Sequence, residues 1–372
     1  NVVISPNGGN VGIGESAPDT RLHVTSLYDA VNANLKVQST DNDSCGITFW
    51  NKDTSPNASS RRWQITSNNL TFGDLCFQTG TSSTGNPATT IFKLDANSRI
   101  SLSNNDASGA VGTTIFGYLA GDDIASTGTI NTLFGHNAGH ELKLADNNIA
   151  IGYNAMYNSY IDDTQDGLTV NNIFIGKDAG GGDWATVASF QNIGIGNGVM
   201  DAVMAGARYN TAVGDSAMSA LTEGDYNTGI GYGSLNGLTD GDDNVALGAG
   251  SGGPLSTGHR NVLIGKQVGD AMTTEDDCVL IGYNAGLALT TTGANGTVAI
   301  GSSALAALTS GPDNTAVGEL ALTALTIGQG NVAVGSRAAD ATVEGFYNTA
   351  IGSDALATNV NGDNNTAVGQ GA

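Results

Sequence analysis

The sequence predicts an all-β chain: a small N-terminal β-sandwich-like domain, then a parallel β-solenoid, or β-roll, with coils of about 17 residues. Three observations predict it. One string recurs: Asn, a β-branched residue, a small residue, an aliphatic residue, Gly, as in Asn210-Thr211-Ala212-Val213-Gly214 and Asn365-Thr366-Ala367-Val368-Gly369. Its closing glycines are 17 residues apart throughout 214–282 and 301–369, a fixed period that marks a stacked repeat. The composition is rich in Gly (54 of 372 residues), with 6 Pro, 13% charged and 6% aromatic residues, a β composition without a large aromatic core.

Within the string, the slots after Asn and before Gly are two residues apart and share one face of a strand. Both are apolar or β-branched, so this face is expected to line the coil, with Val213, Ile230, Leu247, Ile264, Ile281 and Ile300 as its core. The slot between them then points outward. It is mostly Ala or Gly, and a solvated strand face would be polar. Such a row implies close approach by another surface, so Ala212, Gly229, Ala246, Ala316, Ala333 and Ala350 are expected to form a homotrimer interface. Leu133, Phe174, Leu263 and Leu280 break the small-residue rule and are expected to fill wider parts of the trimer axis.

The rest of each coil turns. Ala follows three residues after many of the glycines, Leu four further on, then Thr or Ser and a Gly-containing turn, as in Thr222-Glu223-Gly224-Asp225-Tyr226-Asn227. Successive Asn residues are expected to stack as amide ladders. With a rise of about 4.8 Å per coil, fourteen steps make a rod of roughly 70 Å.

The formal charge of −22 argues against nucleic acid and anionic membrane as partners. Cys45, Cys76 and Cys278 are too few and too scattered for a disulfide framework. His136 and His140 sit in a Gly-rich turn with no third ligand, so no metal site is expected. No stretch has the length and apolarity of a membrane span or a signal peptide. The first residue is not Met and the last lies three past a repeat glycine, so both ends are expected to be cut from a longer chain.

Residues 1–20 place two short strands around Asn7-Gly8-Gly9, with Leu22-His23-Val24 opening another. The run Gly9-Asn10-Val11-Gly12-Ile13-Gly14, a Ser/Pro linker and Leu22-His23-Val24 resembles the junction modules of bacteriophage tail fibres. Residues 21–103 hold candidate strands at 34–38, 46–51, 62–66, 70–72, 75–78, 90–94 and 99–102, the spacing of a small antiparallel sandwich. Trp50 and Trp63 are its large anchors, expected in its core, with one of them stacking on sugar as the alternative.

Residues 104–372 carry the repeat. The string resembles the heads of trimeric autotransporter adhesins, whose Asn-Ser-Val-Ala-Ile-Gly repeats build a left-handed parallel β-roll. Stretches such as Asn131-Thr132-Leu133-Phe134-Gly135-His136-Asn137-Ala138-Gly139 are also similar to the longer-period repeats of phage tail fibres. That resemblance implies an extracellular homotrimeric fibre on a virion or cell surface, some members of which lose a C-terminal chaperone by cleavage.

The period breaks between Gly152 and Gly176, with seven extra residues, and between Gly176 and Gly196, with three. Insertions map to loops on one face of a solenoid, often the binding face. Tyr157, Tyr160, Asp162 and Trp184 are therefore the candidate contacts for a host glycan or other receptor.

Acidic turns such as 240–243 and 275–277 suit solvated turns better than calcium. No paired carboxylates or phosphate loop stand out, so neither an enzyme nor a cofactor is expected. Stacked threonines such as Thr211 and Thr228 would suit ice binding only if they faced outward, and their slot is read as inward. The sequence therefore points to a structural and adhesive fibre segment, with a bacterial surface adhesin and a polysaccharide depolymerase as alternatives.

Overall fold

The computed structural model describes residues 112–372, except 123, 125–128, 143–144, 159–168, 183, 185–186 and 291–292, together with the backbone of eight strands before residue 102. The chain divides into two units, 1–103 and 104–372.

In the first unit, β1 (Val2–Ile4) pairs antiparallel with β2 (Val11–Ile13), and β3 (Leu22–Val24) lies parallel on β2. This small sheet therefore runs across the junction expected at residue 20. A second sheet is a five-stranded antiparallel meander: β4 (Cys45–Trp50), β5 (Arg62–Ser67), β6 (Leu75–Gly80), β7 (Thr89–Leu94) and β8 (Ile100–Ser101). Among the described residues these strands make one sheet, where the sequence suggested a two-sheet sandwich. The strands expected at 34–38 and 70–72, and the side chains of Trp50 and Trp63, lie outside the described residues.

The second unit is a solenoid with one strand per coil. Fifteen strands, from β9 (Thr114–Phe116) to β23 (Thr366–Val368), form a single parallel sheet in unbroken sequence order. Each repeat contributes Thr-Ala-Val or its equivalent, and equivalent slots pair coil to coil, as in Thr211↔Thr228 and Ala212↔Gly229. The glycine closing each string has φ between 131° and 148°. A Cβ there would sit against the carbonyl of the next coil's glycine, 2.3 Å from the Gly265 oxygen in the case of Gly248. Both the backbone conformation and the approach of the neighbouring coil exclude any other residue.

The faces of the strands are opposite to those read from the sequence. The small middle residues point into the coil: Ala212, Ala246, Ala316, Ala333 and Ala350 are fully buried within one chain, and Gly229 is buried too. The flanking aliphatics expected as core point outward. Leu247 is 45% exposed and Ile230 38%, while Val213, Ile264, Ile281 and Ile300 are only half-buried.

The reason is volume. The interior is filled from the turn side, by Met218, Leu221, Leu235 and Leu238, all fully buried. Close-packed interiors leave no room for a second large residue opposite them. In most coils the two positions trade size. Where the middle residue is Ala150, Gly194, Ala212 or Gly229, the residue four past the closing glycine is Met156, Met200, Met218 or Leu235. Where it is Leu133, Phe174, Leu263 or Leu280, that residue is Gly139, Gly180, Gly269 or Gly286. A Cβ on Gly180 would lie 2.8 Å from the Phe174 ring, and one on Gly139 would lie 2.7 Å from a Leu133 methyl. These four large residues thus fill the coil, not a trimer axis.

Candidate functional site

A buried amide ladder fixes the coil register. Asn227 Oδ1 accepts the backbone N–H of Asn244 and its Nδ2–H, both at 3.0 Å. Asn227 Nδ2 donates to the Gly241 carbonyl at 2.7 Å, which ties the start of the strand to the preceding turn of the next coil. The pattern runs from Asn131 through Asn148, Asn172, Asn192, Asn210, Asn227 and Asn244 to Asn261, and resumes at Asn314 to Asn365. In the gap stand Cys278 and Thr297, both buried. Burial pushes the Cys278 thiol up to about 12, against a backbone N–H bond from Thr297 that lowers it.

Nearby, Glu275 is fully buried. Its Oε2 accepts the N–H groups of Thr273 and Thr274, at 2.7 and 3.0 Å. In the coils before it, the N–H equivalent to that of Thr273 donates to a backbone carbonyl one coil on, as Ser256 does to Thr273. The step from Gly282 to Gly301 is two residues longer than the period, and the Glu275 carboxylate supplies the acceptor at that step.

Of the insertion residues read as receptor contacts, Trp184 is turned into the core and Tyr157 is half-buried. Trp184 is 4% exposed, its ring edge-on to Phe174 with centroids 5.7 Å apart. Its indole Nε1–H donates to the Gly180 carbonyl at 3.0 Å, and its backbone N–H to Asn158. It closes the core where the longer coil would leave a gap, because a buried indole gains packing once its N–H has a partner. Tyr157 is half-buried, its ring stacked on His140 at 5.0 Å. Tyr160 and Asp162 lie outside the described residues.

Other aromatic side chains do reach the surface, in columns one period apart that the sequence reading passed over. Tyr118, His136 and Tyr153 follow successive closing glycines and contact one another edge to face, with centroids 5.3 Å apart at each step. Phe116 and Phe134, both more than half exposed, stack at 5.0 Å on the outer strand face. On the turn before the strand, Tyr209 and Tyr226 stack at 4.8 Å, and the Arg208 guanidinium lies over Phe190. The signal was the spacing itself: equivalent slots of neighbouring coils hold aromatic pairs.

The largest feature is the outer strand face. Its two rows run through all fifteen strands, and every one of their residues is Thr, Val, Ile, Leu or Phe. No charge interrupts them, although the chain carries −22. The threonine row therefore faces outward, contrary to expectation. It is mixed, however: Thr stands at 114, 132, 211, 228, 315, 349 and 366, never more than two in succession, so no continuous threonine array exists.

The acids lie on the turns. Asp242 Oδ1 accepts the N–H of Asp225, and Asp276 Oδ1 that of His259, each at 2.8 Å, so these carboxylates serve the coil stack. Burial raises the pKa of Asp225, and the Arg260 guanidinium, at 2.7 Å, lowers that of Asp277. Among the described residues no three His, Cys, Asp or Glu side chains gather to hold a metal ion, and no helix is long and apolar enough to cross a membrane. No family model, curated protein or solved structure matches the chain.

Proposed function

We propose that this chain is a structural and adhesive segment of an extracellular homotrimeric fibre, a phage tail fibre that contributes to host receptor binding. The observation that carries the reading is the single fifteen-strand parallel stack, a rod built by repetition of one coil. A rod of this kind spans distance rather than enclosing a substrate, and the surface it offers is long and repetitive. The exposed column of Tyr118, His136 and Tyr153 supports the adhesive part, since amphipathic rings suit contact with a sugar-bearing receptor. A bacterial surface adhesin of the same build is the alternative.

The test is retention of the purified chain on a panel of immobilised bacterial surface polysaccharides. Retention that falls when Tyr118 and Tyr153 are both replaced by Ala supports the adhesive role. Release of new reducing ends from any of those polysaccharides would make the chain a depolymerase and overturn the reading.

A further inference from the structure

We infer that the outer strand face, and not the small-residue row, is where three copies of this chain meet, in parallel and at the same coil level. The inference rests on the trimeric reading above and places its interface. Three observations carry it.

The first is size. Two rows about 6.6 Å apart, on a rod of roughly 70 Å, with the half-widths of their side chains, present roughly 700 Å². Contiguous apolar patches on monomers are typically about 300–600 Å² at their largest. On a three-fold axis the face divides between two neighbours, roughly 350 Å² to each, so it is the length of the patch against the ordinary monomer limit, rather than the area of each contact, that calls for a cover.

The second is continuity. The steps from Gly152 to Gly176, Gly176 to Gly196 and Gly282 to Gly301 exceed the period, yet Ile149 still pairs with Ile173, Ile173 with Ile193, and Val279 with Val298. No extra residue falls within a paired strand, and the outer face continues without a step. Pairing between coils fixes this register, and its result is an apolar face without a break along the rod.

The third is repetition. The face maps onto itself at each coil, so its partner must repeat with the same rise and twist. A second copy of the chain does so by construction; a globular protein does not.

A three-fold axis along the rod also decides which rows touch. The contact is heterologous, so the row after Asn on one chain meets the row before Gly on the next. The first holds only Thr, Val and Ile; the second is bulkier, with Ile, Leu, Val and Phe. Thr228 of one copy then faces Ile230 of its neighbour.

The experiment measures mass by light scattering, with circular dichroism for the fold. The wild-type chain should have three chain masses. The V262E/I264E variant, with two outward carboxylates in one coil, should fall to one chain mass with its β spectrum retained. In a C45S/C76S background, T228C/I230C should run as a covalent trimer on a non-reducing gel, whereas either single cysteine joins at most two chains. A V262E/I264E variant that keeps three chain masses, or a doubly substituted chain that runs as a monomer, would overturn the placement and leave the fibre reading standing. A wild-type chain of one mass would overturn the trimer itself. If the charged variant fails to fold, the cross-link alone decides.

Discussion

The strand side and the turn side of the same coils obey different rules. On the strand side, the slots keep their chemistry from Thr114 to Val368, and the closing glycine does not vary from Gly117 to Gly369. The turn side absorbs insertions of two, three and seven residues, and side chains fill the gaps they open: Trp184 in one coil, Glu275 in another. The difference lies in what neighbours demand. On the strand side each backbone touches the next coil directly, so the strand length and the closing glycine cannot change. On the turn side the contact is partly through side chains, which can be exchanged.

Substitutions on each side sharpen this contrast. The largest loss is expected from Gly248→Ala. The added methyl meets the Gly265 carbonyl and the φ of 139° resists a side chain, so a loss above about 4 kcal/mol is expected in urea unfolding. A loss under 1 kcal/mol would show that coils can separate locally. Trp184→Ala should come next, at about 3–5 kcal/mol, the cost of emptying a buried aromatic site. An unchanged melting temperature would return Trp184 to the surface role that its burial denies it.

Asn227→Ala should lose about 3 kcal/mol, because the Asn244 N–H and the Gly241 carbonyl would be left buried without partners. Hydrogen exchange at Asn244 is the sharper readout; unaltered protection there would mean that the ladder is incidental.

The smallest effect is a gain. Cys278→Asn should extend the ladder by one rung, to Thr297, and stabilise by about 1 kcal/mol. It should also remove a pH dependence. The folded thiol is raised from an ordinary value of 9.0 to about 12, so its share of stability is complete below pH 9 and is lost as pH climbs toward 12. Thermal melts at pH 8 and pH 11 should diverge for the wild type more than for Cys278→Asn; equal divergence would clear the thiol of any part in alkaline unfolding.

The period, the parallel stack, the amide ladder and the Gly-bearing turns were all legible, because each depends on one residue type at a fixed spacing. The facing of the strand was not. Ranking residues by hydrophobicity puts Val213 and Ile230 inside and Ala212 outside, and in a solitary sheet that ranking is sound. Here the core space was already claimed by Met218 and Leu221, residues outside the strand. The reciprocal sizes of Phe174 with Gly180, and of Gly194 with Met200, carried that information across six residues. Trp184 was misplaced for a related reason: a period break suggests a loop, but a longer coil also needs a larger filler. Tyr118 and Phe116 were passed over because each looks unremarkable until its partner one coil later is set beside it.

The backbone of the turns bears on how such a chain forms. In the coil after Gly301, Ser303, Leu305 and Asp313 have φ of 55°, 52° and 60°, and in the coil after Gly335, Arg337, Ala339 and Tyr347 have 53°, 52° and 56°. Each left-handed residue with a side chain costs about 1–3 kcal/mol in isolation. A lone coil therefore starts several kcal/mol uphill and gains almost nothing from its own contacts. Only a finished neighbour, offering its carbonyls and amides in register, makes the conformation favourable. Growth should then run as a zipper from a first templated coil, fast once begun and slow to begin, with coils at the growing edge the first to fray.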